Sequence, residues 1–370
     1  MNPVKQLLQQ GQSVWLDFIS RELLASGELE RLVSEDGVRG LTSNPTIFAK
    51  AIGEGFDYND AIAFLIDANP EADAKALYEA LAVADIRDAA KVLRPIYEQS
   101  SRVDGMVSLE VSPEAAHDTR ATIQEARHLW KAVNSPNAMI KIPATPEGIP
   151  AIEQCIAEGI NVNVTLIFSV EQYEQAARAY MRGVEKAVLP SHVTSVASFF
   201  VSRIDAAIDP QLEKMDDPRA RKLMGKIAVA NCRVAYRRFQ ELFNSQEFSQ
   251  QRKKGARQQR LLWGSTSTKN PAYSDVKYVE ELVAPDTVNT MPLETLKAFL
   301  DHGTIRGTLV DGMDEACEQL RQLQELGIDL AEVTQKLLVD GVASFARSYN
   351  KLIKSLDHKR QTILTGQVYR

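Results

Sequence analysis

Ala138-Met139-Ile140-Lys141-Ile142-Pro143-Ala144-Thr145, then a helical stretch at 149–158, then Gly159-Ile160-Asn161-Val162-Asn163-Val164-Thr165-Leu166-Ile167-Phe168-Ser169, reads as strand, helix, strand. Two strands joined by a helix must lie parallel, because a crossover is the only way back to the same end of a sheet. Working outward, β-rich runs recur at 13–19, 37–42, 105–111, 138–142, 160–168, 193–201, 260–266 and 287–290. Helical patterns such as 114–132, 149–158 and 170–185 fall between them. Eight βα units predict an α/β protein, a (β/α)8 TIM barrel with extra helices in a single domain. An open, doubly wound sheet is the alternative, although no GxGxxG or GxxxxGK[ST] segment marks a nucleotide site of that kind.

Junction residues agree with this reading. Asn44-Pro45, Ser112-Pro113 and Thr145-Pro146 each place a side-chain acceptor before a proline that needs no hydrogen-bonded N–H. Ser169-Val170-Glu171-Gln172 spells a capping box before an amphipathic helix. Residues 1–370 are expected to form one domain, with a helical insertion near 46–102 and further helices beyond 291. No Gly/Ser/Pro-rich linker interrupts the chain.

Side chains alternate faces along a strand. In the third strand Val107, Leu109 and Val111 should pack under the helices, leaving Ser108 and Glu110 toward the barrel axis. In the fifth, Val162, Val164 and Leu166 should face outward and Asn161, Asn163 and Thr165 inward. Asp17, Asn44, Glu110, Lys141, Asn163, Thr165 and Ser198 then all fall near the C-terminal strand ends, where barrel enzymes hold their chemistry. Taken singly, each has a structural role open to it. Asp17 could cap the helix near Ser20, Asn44 could cap the one after Pro45, Glu110 could pair with Lys141, and Asn163 and Thr165 could be satisfied core groups. Taken together, seven polar groups at one barrel mouth are costly to bury for structure alone.

Lys141 sits in an apolar run where an unpaired ammonium is penalised. Burial therefore predicts a lowered pKa and a nucleophilic amine suited to Schiff-base formation, against the plain alternative of a snorkelling lysine. Neutral Lys141 attacking a ketone gives a carbinolamine, and Glu110 with Thr165 could move the proton its dehydration requires. The resulting iminium is an electron sink for carbon–carbon cleavage, with Asp17 as base. Two carboxylates near Lys141 oppose the effect of burial on its pKa.

Composition excludes several classes. The chain carries 44% hydrophobic and 25% charged residues and a net charge of −6, which describes a globular protein and not a nucleic-acid binder. No apolar run reaches 18 residues and the first dozen residues are polar, so no membrane span or signal peptide is expected. Cys155, Cys232 and Cys317 lie far apart, pointing to free thiols in a cytoplasmic protein, with Cys155 buried in a helix. The basic stretch Arg252-Lys253-Lys254-Gly255-Ala256-Arg257 is read as a solvated loop.

At Leu16-Asp17, Leu41-Thr42-Ser43-Asn44-Pro45-Thr46, Ser108-Leu109-Glu110-Val111, Ile140–Thr145, Gly159–Ser169 and Ser198-Phe199-Phe200-Val201-Ser202-Arg203-Ile204-Asp205, the chain resembles the transaldolases, class I Schiff-base aldolases of the pentose phosphate pathway. The resemblance runs from about residue 10 to 300; the later helices match in pattern only. It implies Lys141 as the Schiff-base lysine, Asp17 as the cleavage acid/base, and Glu110 with Thr165 as the proton-transfer pair. Asn44 and Asn163 would bind the retained dihydroxyacetone unit, and Ser198 and Arg203 the substrate phosphate. The seventh strand departs from the best-known form. Where a phosphate-binding Ser and Arg are expected, the chain reads Gly264-Ser265-Thr266-Ser267-Thr268-Lys269-Asn270-Pro271, which assigns Ser267 and Lys269 to that role and suggests a longer bacterial branch.

The implied reaction moves dihydroxyacetone from sedoheptulose 7-phosphate to glyceraldehyde 3-phosphate, giving erythrose 4-phosphate and fructose 6-phosphate. It needs no metal or organic cofactor, and sugar phosphates are the only implied partners; monomer and homodimer stay open. A fructose-6-phosphate aldolase, a sugar-phosphate-binding barrel without catalysis, and pyridoxal phosphate on Lys141 are the alternatives.

Overall fold

A computed structural model describes residues 2–54, 57–305 and 309–365. Its eight strands are β1 (Gln12–Leu16), β2 (Gly40–Thr42), β3 (Met106–Glu110), β4 (Ala138–Pro143), β5 (Val162–Ile167), β6 (Ser195–Phe200), β7 (Arg260–Gly264) and β8 (Thr287–Met291). All pair in parallel in chain order, and β8 returns to β1 with Val14 opposite Asn289 and Leu16 opposite Met291. That last pairing closes the barrel and excludes the open sheet.

Strand alternation divides the apolar side chains into two cores. Trp15, Met106, Met139, Val196, Leu262 and Val288 form a separate cluster that includes the barrel's inner layer. Val14, Leu16, Val107, Leu109, Ile140, Ile142, Val162 and Val164 belong instead to the main core shared with the helices. Gly40 makes room for the largest inner side chain, since a Cβ there would lie 2.6 Å from the Trp15 indole. Below this layer the barrel floor is polar. Arg260 donates to Asp104 Oδ1 at 2.8 Å and to Ser13 Oγ at 2.9 Å, while Ser13 and Trp15 Nε1 also donate to the Asp104 carboxylate.

The junction chemistry holds. Asn44 Oδ1 accepts from the amides of Thr46 and Ile47, Ser112 Oγ from Glu114, and Thr145 Oγ1 from Gly148. The capping box at Ser169 is complete in both directions. Between β2 and β3 lie the helices Pro45–Glu54, Asn59–Ala68 and Ala74–Gln99. The stretch expected as one helix over 114–132 is a 3₁₀ turn at Pro113–Ala115 followed by Thr119–Val133. Asp118 caps the second helix from its own side chain and so ends the first.

After β8 come helices Leu293–His302, Met313–Glu325 and Leu330–Leu364. The last, 35 residues long, crosses the C-terminal end of the barrel. Its Leu338, Val342 and Phe345 pack with Leu166, Phe168 and Phe200. Further along, Thr46 and Ser348 share a hydroxyl hydrogen bond and Ser355 Oγ donates to Gly53 O, tying the helix to Pro45–Glu54.

Leu166 does not face outward as alternation requires. The β5–β6 register shifts between Val164 and Ile167, and Leu166 takes φ +58, so its side chain turns to the mouth and meets the long helix. A left-handed leucine costs on the order of 1–3 kcal/mol, which burial of its side chain, worth about 1.5–3 kcal/mol, offsets.

Asp104 is the only carboxylate within salt-bridge distance of buried Arg260 among the described residues. Asp104→Ala therefore leaves that charge unpaired, and urea denaturation should show a loss of roughly 3–5 kcal/mol. A loss below about 1 kcal/mol would mean that the floor network does not hold the barrel.

Candidate active site

Each strand delivers its last inward residue to the mouth. The β3–β4 register sets Glu110 opposite Lys141, and the β4–β5 register sets Lys141 opposite Asn163. Lys141 is 4% exposed, with Nζ 3.8 Å from Glu110 Oε2 and donating to the Ser43 carbonyl at 3.2 Å. Glu110 Oε2 and Thr165 Oγ1, on the strands flanking β4, have no hydrogen-bond partner among the described residues. Burial, partly countered by Lys141 and reinforced by Asp17, pushes the Glu110 carboxyl up to about 7.

Lys141 opens into a cavity of about 540 Å³. Asp17, Asn44, Ser198, Arg203, Ser267 and Lys269 all line it. Asn163, Thr165 and Glu110 stand behind the wall. Asn163 donates to Ser108 Oγ at 3.0 Å and accepts from Ser198 Oγ at 2.6 Å, so it fixes the Ser198 hydroxyl that the cavity presents.

Asp17 is not a helix cap. Ser20 Oγ accepts from the Leu23 amide in that role, which frees Asp17 to accept from Thr42 Oγ1 at 2.6 Å. Thr42 is itself bonded to Thr290 Oγ1 at 2.8 Å, so three strands hold the carboxylate in place. Asn44 does cap, through Oδ1 alone, and its amide group stays free for the cavity. The pairing of Glu110 with Lys141 is present too, alongside the site geometry.

Sequence reading missed Lys50 and Phe345. Lys50 follows Thr46 by four residues on one face of the helix that Asn44 starts, and both line the cavity. That spacing was a usable signal. Phe345 reaches the cavity from the long C-terminal helix, and nothing local to its sequence marks it. With Lys50, the wall gathers three cations. Burial first, and then the nearness of Arg203 and Lys50, holds the Lys269 ammonium below its usual range; burial does the same to Arg203. Lys269 also donates to Ser267 Oγ at 2.8 Å, so the two residues of the departing β7 segment act as one unit. Arg203 lies 5.4 Å over the Phe200 ring, which orients its guanidinium. Crowded cations beside hydroxyl donors, with Arg203 half-buried among them, favour an oxyanion ligand.

The Glu110 shift carries a sign. Between pH 4.5 and about 7 the folded chain holds a proton at Glu110 that the unfolded chain has lost. Stability from this group is therefore complete at low pH and declines as pH rises, by at most about 1.4 kcal/mol per unit. Denaturation of wild type and Glu110→Gln across this window should show that decline in the wild type alone. Parallel curves would mean that burial does not perturb Glu110.

The family described as Transaldolase/Fructose-6-phosphate aldolase matches residues 14–356. A transaldolase of Parafrankia sp. (strain EAN1pec) is 47% identical over 359 residues, covering 96% of this chain and 97% of its own length. A transaldolase of Acidothermus cellulolyticus is 48% identical over 369 residues, covering 97% and 98%. A protein named Transaldolase 2 from Nostoc sp. (strain PCC 7120) is 44% identical over 380 residues, again covering 97% and 98%. With a matching barrel and a match along nearly its whole length, the chain belongs to the transaldolase/fructose-6-phosphate aldolase family.

Proposed function

We propose that this protein is a transaldolase, moving a dihydroxyacetone unit from sedoheptulose 7-phosphate to glyceraldehyde 3-phosphate. The observation that carries the reading is a buried lysine at a cavity floor, 3.8 Å from a carboxyl raised to about 7, with cations gathered on the same cavity wall. The Lys141 amine attacks the ketose carbonyl. A proton from Glu110, relayed with the Thr165 hydroxyl, lets the carbinolamine hydroxyl leave as water and gives the iminium.

Asp17 then takes the proton of the hydroxyl one carbon beyond the scissile bond. The bond breaks, the aldehyde product forms from that carbon, and the electron pair flows into the iminium as an enamine. Attack of the enamine on the incoming aldehyde reverses these steps, and water releases the new ketose. Asn44 and Asn163 hold the hydroxyls of the retained unit, the latter with Ser198. Arg203, Lys269 and Ser267 receive the phosphate. Residues 1–370 act as one domain, placed in the cytoplasm with sugar phosphates as substrates. No helix among the described residues is long and apolar enough to cross a membrane. The family also contains aldolases that release dihydroxyacetone, but the full-length relatives bear the name transaldolase, which favours transfer.

Borohydride reduction during incubation with fructose 6-phosphate should leave a dihydroxyacetone-sized adduct on Lys141, read by peptide mass. Lys141→Ala should fold, lose the adduct and lose turnover. Full turnover in that variant would refute the mechanism. Lys269→Ala should raise KM for phosphorylated substrates roughly tenfold to a hundredfold, the loss of one charge-assisted hydrogen bond. An unchanged KM would remove Lys269 from the phosphate site.

A further inference from the structure

The basic stretch at 252–257 is solvated over Arg252, Lys253, Lys254 and Gly255, as its composition suggests, and turns inward at Ala256 and Arg257. Arg252 and Lys253 end the helix Gln246–Lys253, and the chain after them is held firmly. Gly255 adopts φ +89, Ala256 is 5% exposed, and the Tyr180 hydroxyl donates to the Arg257 carbonyl at 2.6 Å. Arg252 and Arg257 both line a cavity of about 400 Å³, with buried Arg260 in the same wall. Small-molecule sites span roughly 300–1,000 Å³.

The cavity lies at the opposite end of the barrel from Lys141. Its residues Val103, Thr194 and Asp286 each precede a strand, and Ser195 and Arg260 open β6 and β7.

The charge at this end is uncompensated. Arg252 donates to the Phe243 carbonyl and stacks over Phe248 at 5.7 Å, and Arg257 donates to the Ser191 carbonyl at 2.8 Å. Those contacts are neutral; they aim the guanidinium groups without cancelling them, and neither residue forms an ion pair among the described residues. Arg260 differs, because Asp104 neutralises it. Both Asp104 oxygens are occupied by Arg260, Ser13 and Trp15. Asp286 is the one carboxylate on the wall. Against it stand Arg252 and Arg257, with Lys253 and Lys254 exposed in the same segment.

We propose that this end of the barrel carries a second anion site, in which Arg252 and Arg257 take a compact phosphate-bearing small molecule over the Arg260 floor. Two guanidinium forks fixed from different segments suit the several oxygens of a phosphate or diphosphate group. The site is separate from the mouth and does not depend on what reaction occurs there.

Inorganic pyrophosphate is the probe, and arginine footprinting with phenylglyoxal, read by peptide mass on the full chain, needs no variant and no turnover. Arg252 and Arg257 should become at least tenfold less reactive in its presence, while exposed Arg120 and Arg221 keep their reactivity. The same protection should persist in Arg203→Gln, which disables the mouth. Calorimetry on Arg252→Gln/Arg257→Gln should show binding at this site weakened at least tenfold with turnover unchanged. Protection confined to Arg203, or equal protection of Arg120 and Arg221, would overturn the proposal. So would wild-type pyrophosphate binding by the double variant.

Discussion

Lys141 and Glu110 are held 3.8 Å apart and both are buried, and the rest of the molecule serves that pair. At about 4 Å and an effective dielectric near 20, their attraction is worth about 4 kcal/mol. Burying each charge costs several kcal/mol, so attraction and desolvation nearly balance. Glu110, its carboxyl raised by burial to about 7, can give and take a proton near neutral pH, as carbinolamine chemistry requires. The balance depends on distance, and distance here is set by backbone register. Glu110 faces Lys141 because β3 and β4 pair in one phase, and slipping by one residue would turn every polar side chain of either strand into the helical core.

Barrel closure supplies the low dielectric. An inner apolar layer of Trp15, Met106, Met139, Val196, Leu262 and Val288 separates the mouth from the floor. Beneath it, Arg260 and Asp104 satisfy each other. The two ends therefore differ in kind. At the floor the buried charge is paired; at the mouth Glu110 Oε2 and Thr165 Oγ1 have no hydrogen-bond partner among the described residues, with the half-buried Arg203 nearby.

Much of this was legible in sequence because period-two alternation is a local rule. It placed eight strands within a few residues of their positions and put Asp17, Glu110, Lys141, Asn163 and Ser198 toward the axis. It failed at Leu166, where a register shift cancels the alternation that the apolar pattern still displays. Asp17 as a helix cap failed because Ser20 stood closer to the helix start. The segment 252–257 is exposed over its first four residues, as its charge predicts, but charge composition says nothing about how its inner end is anchored. Tyr180 and Ser191, far away in sequence, fix it.

Phe345 was beyond local reading for a deeper reason. Its helix is amphipathic for ordinary packing, yet one turn of it completes the wall of the cavity. Three features meet there. Leu166 accepts a left-handed backbone, Gly341 lets the helix approach until an added Cβ would lie 3.0 Å from Leu166 Cδ2, and Phe345 then reaches the mouth beside Phe200. Backbone strain in β5 is thus offset by contacts made almost two hundred residues later. The same helix continues to the insertion that carries Asn44, Thr46 and Lys50, through Ser348 and Ser355. One element therefore braces both the apolar rim and the cationic side of the cavity. That gives a physical reason for the family match to extend to residue 356, well past the last barrel strand, which ends at Met291. A barrel cut after β8 would retain Lys141 and Glu110 but open their surroundings to water, and the balance between attraction and desolvation would be lost.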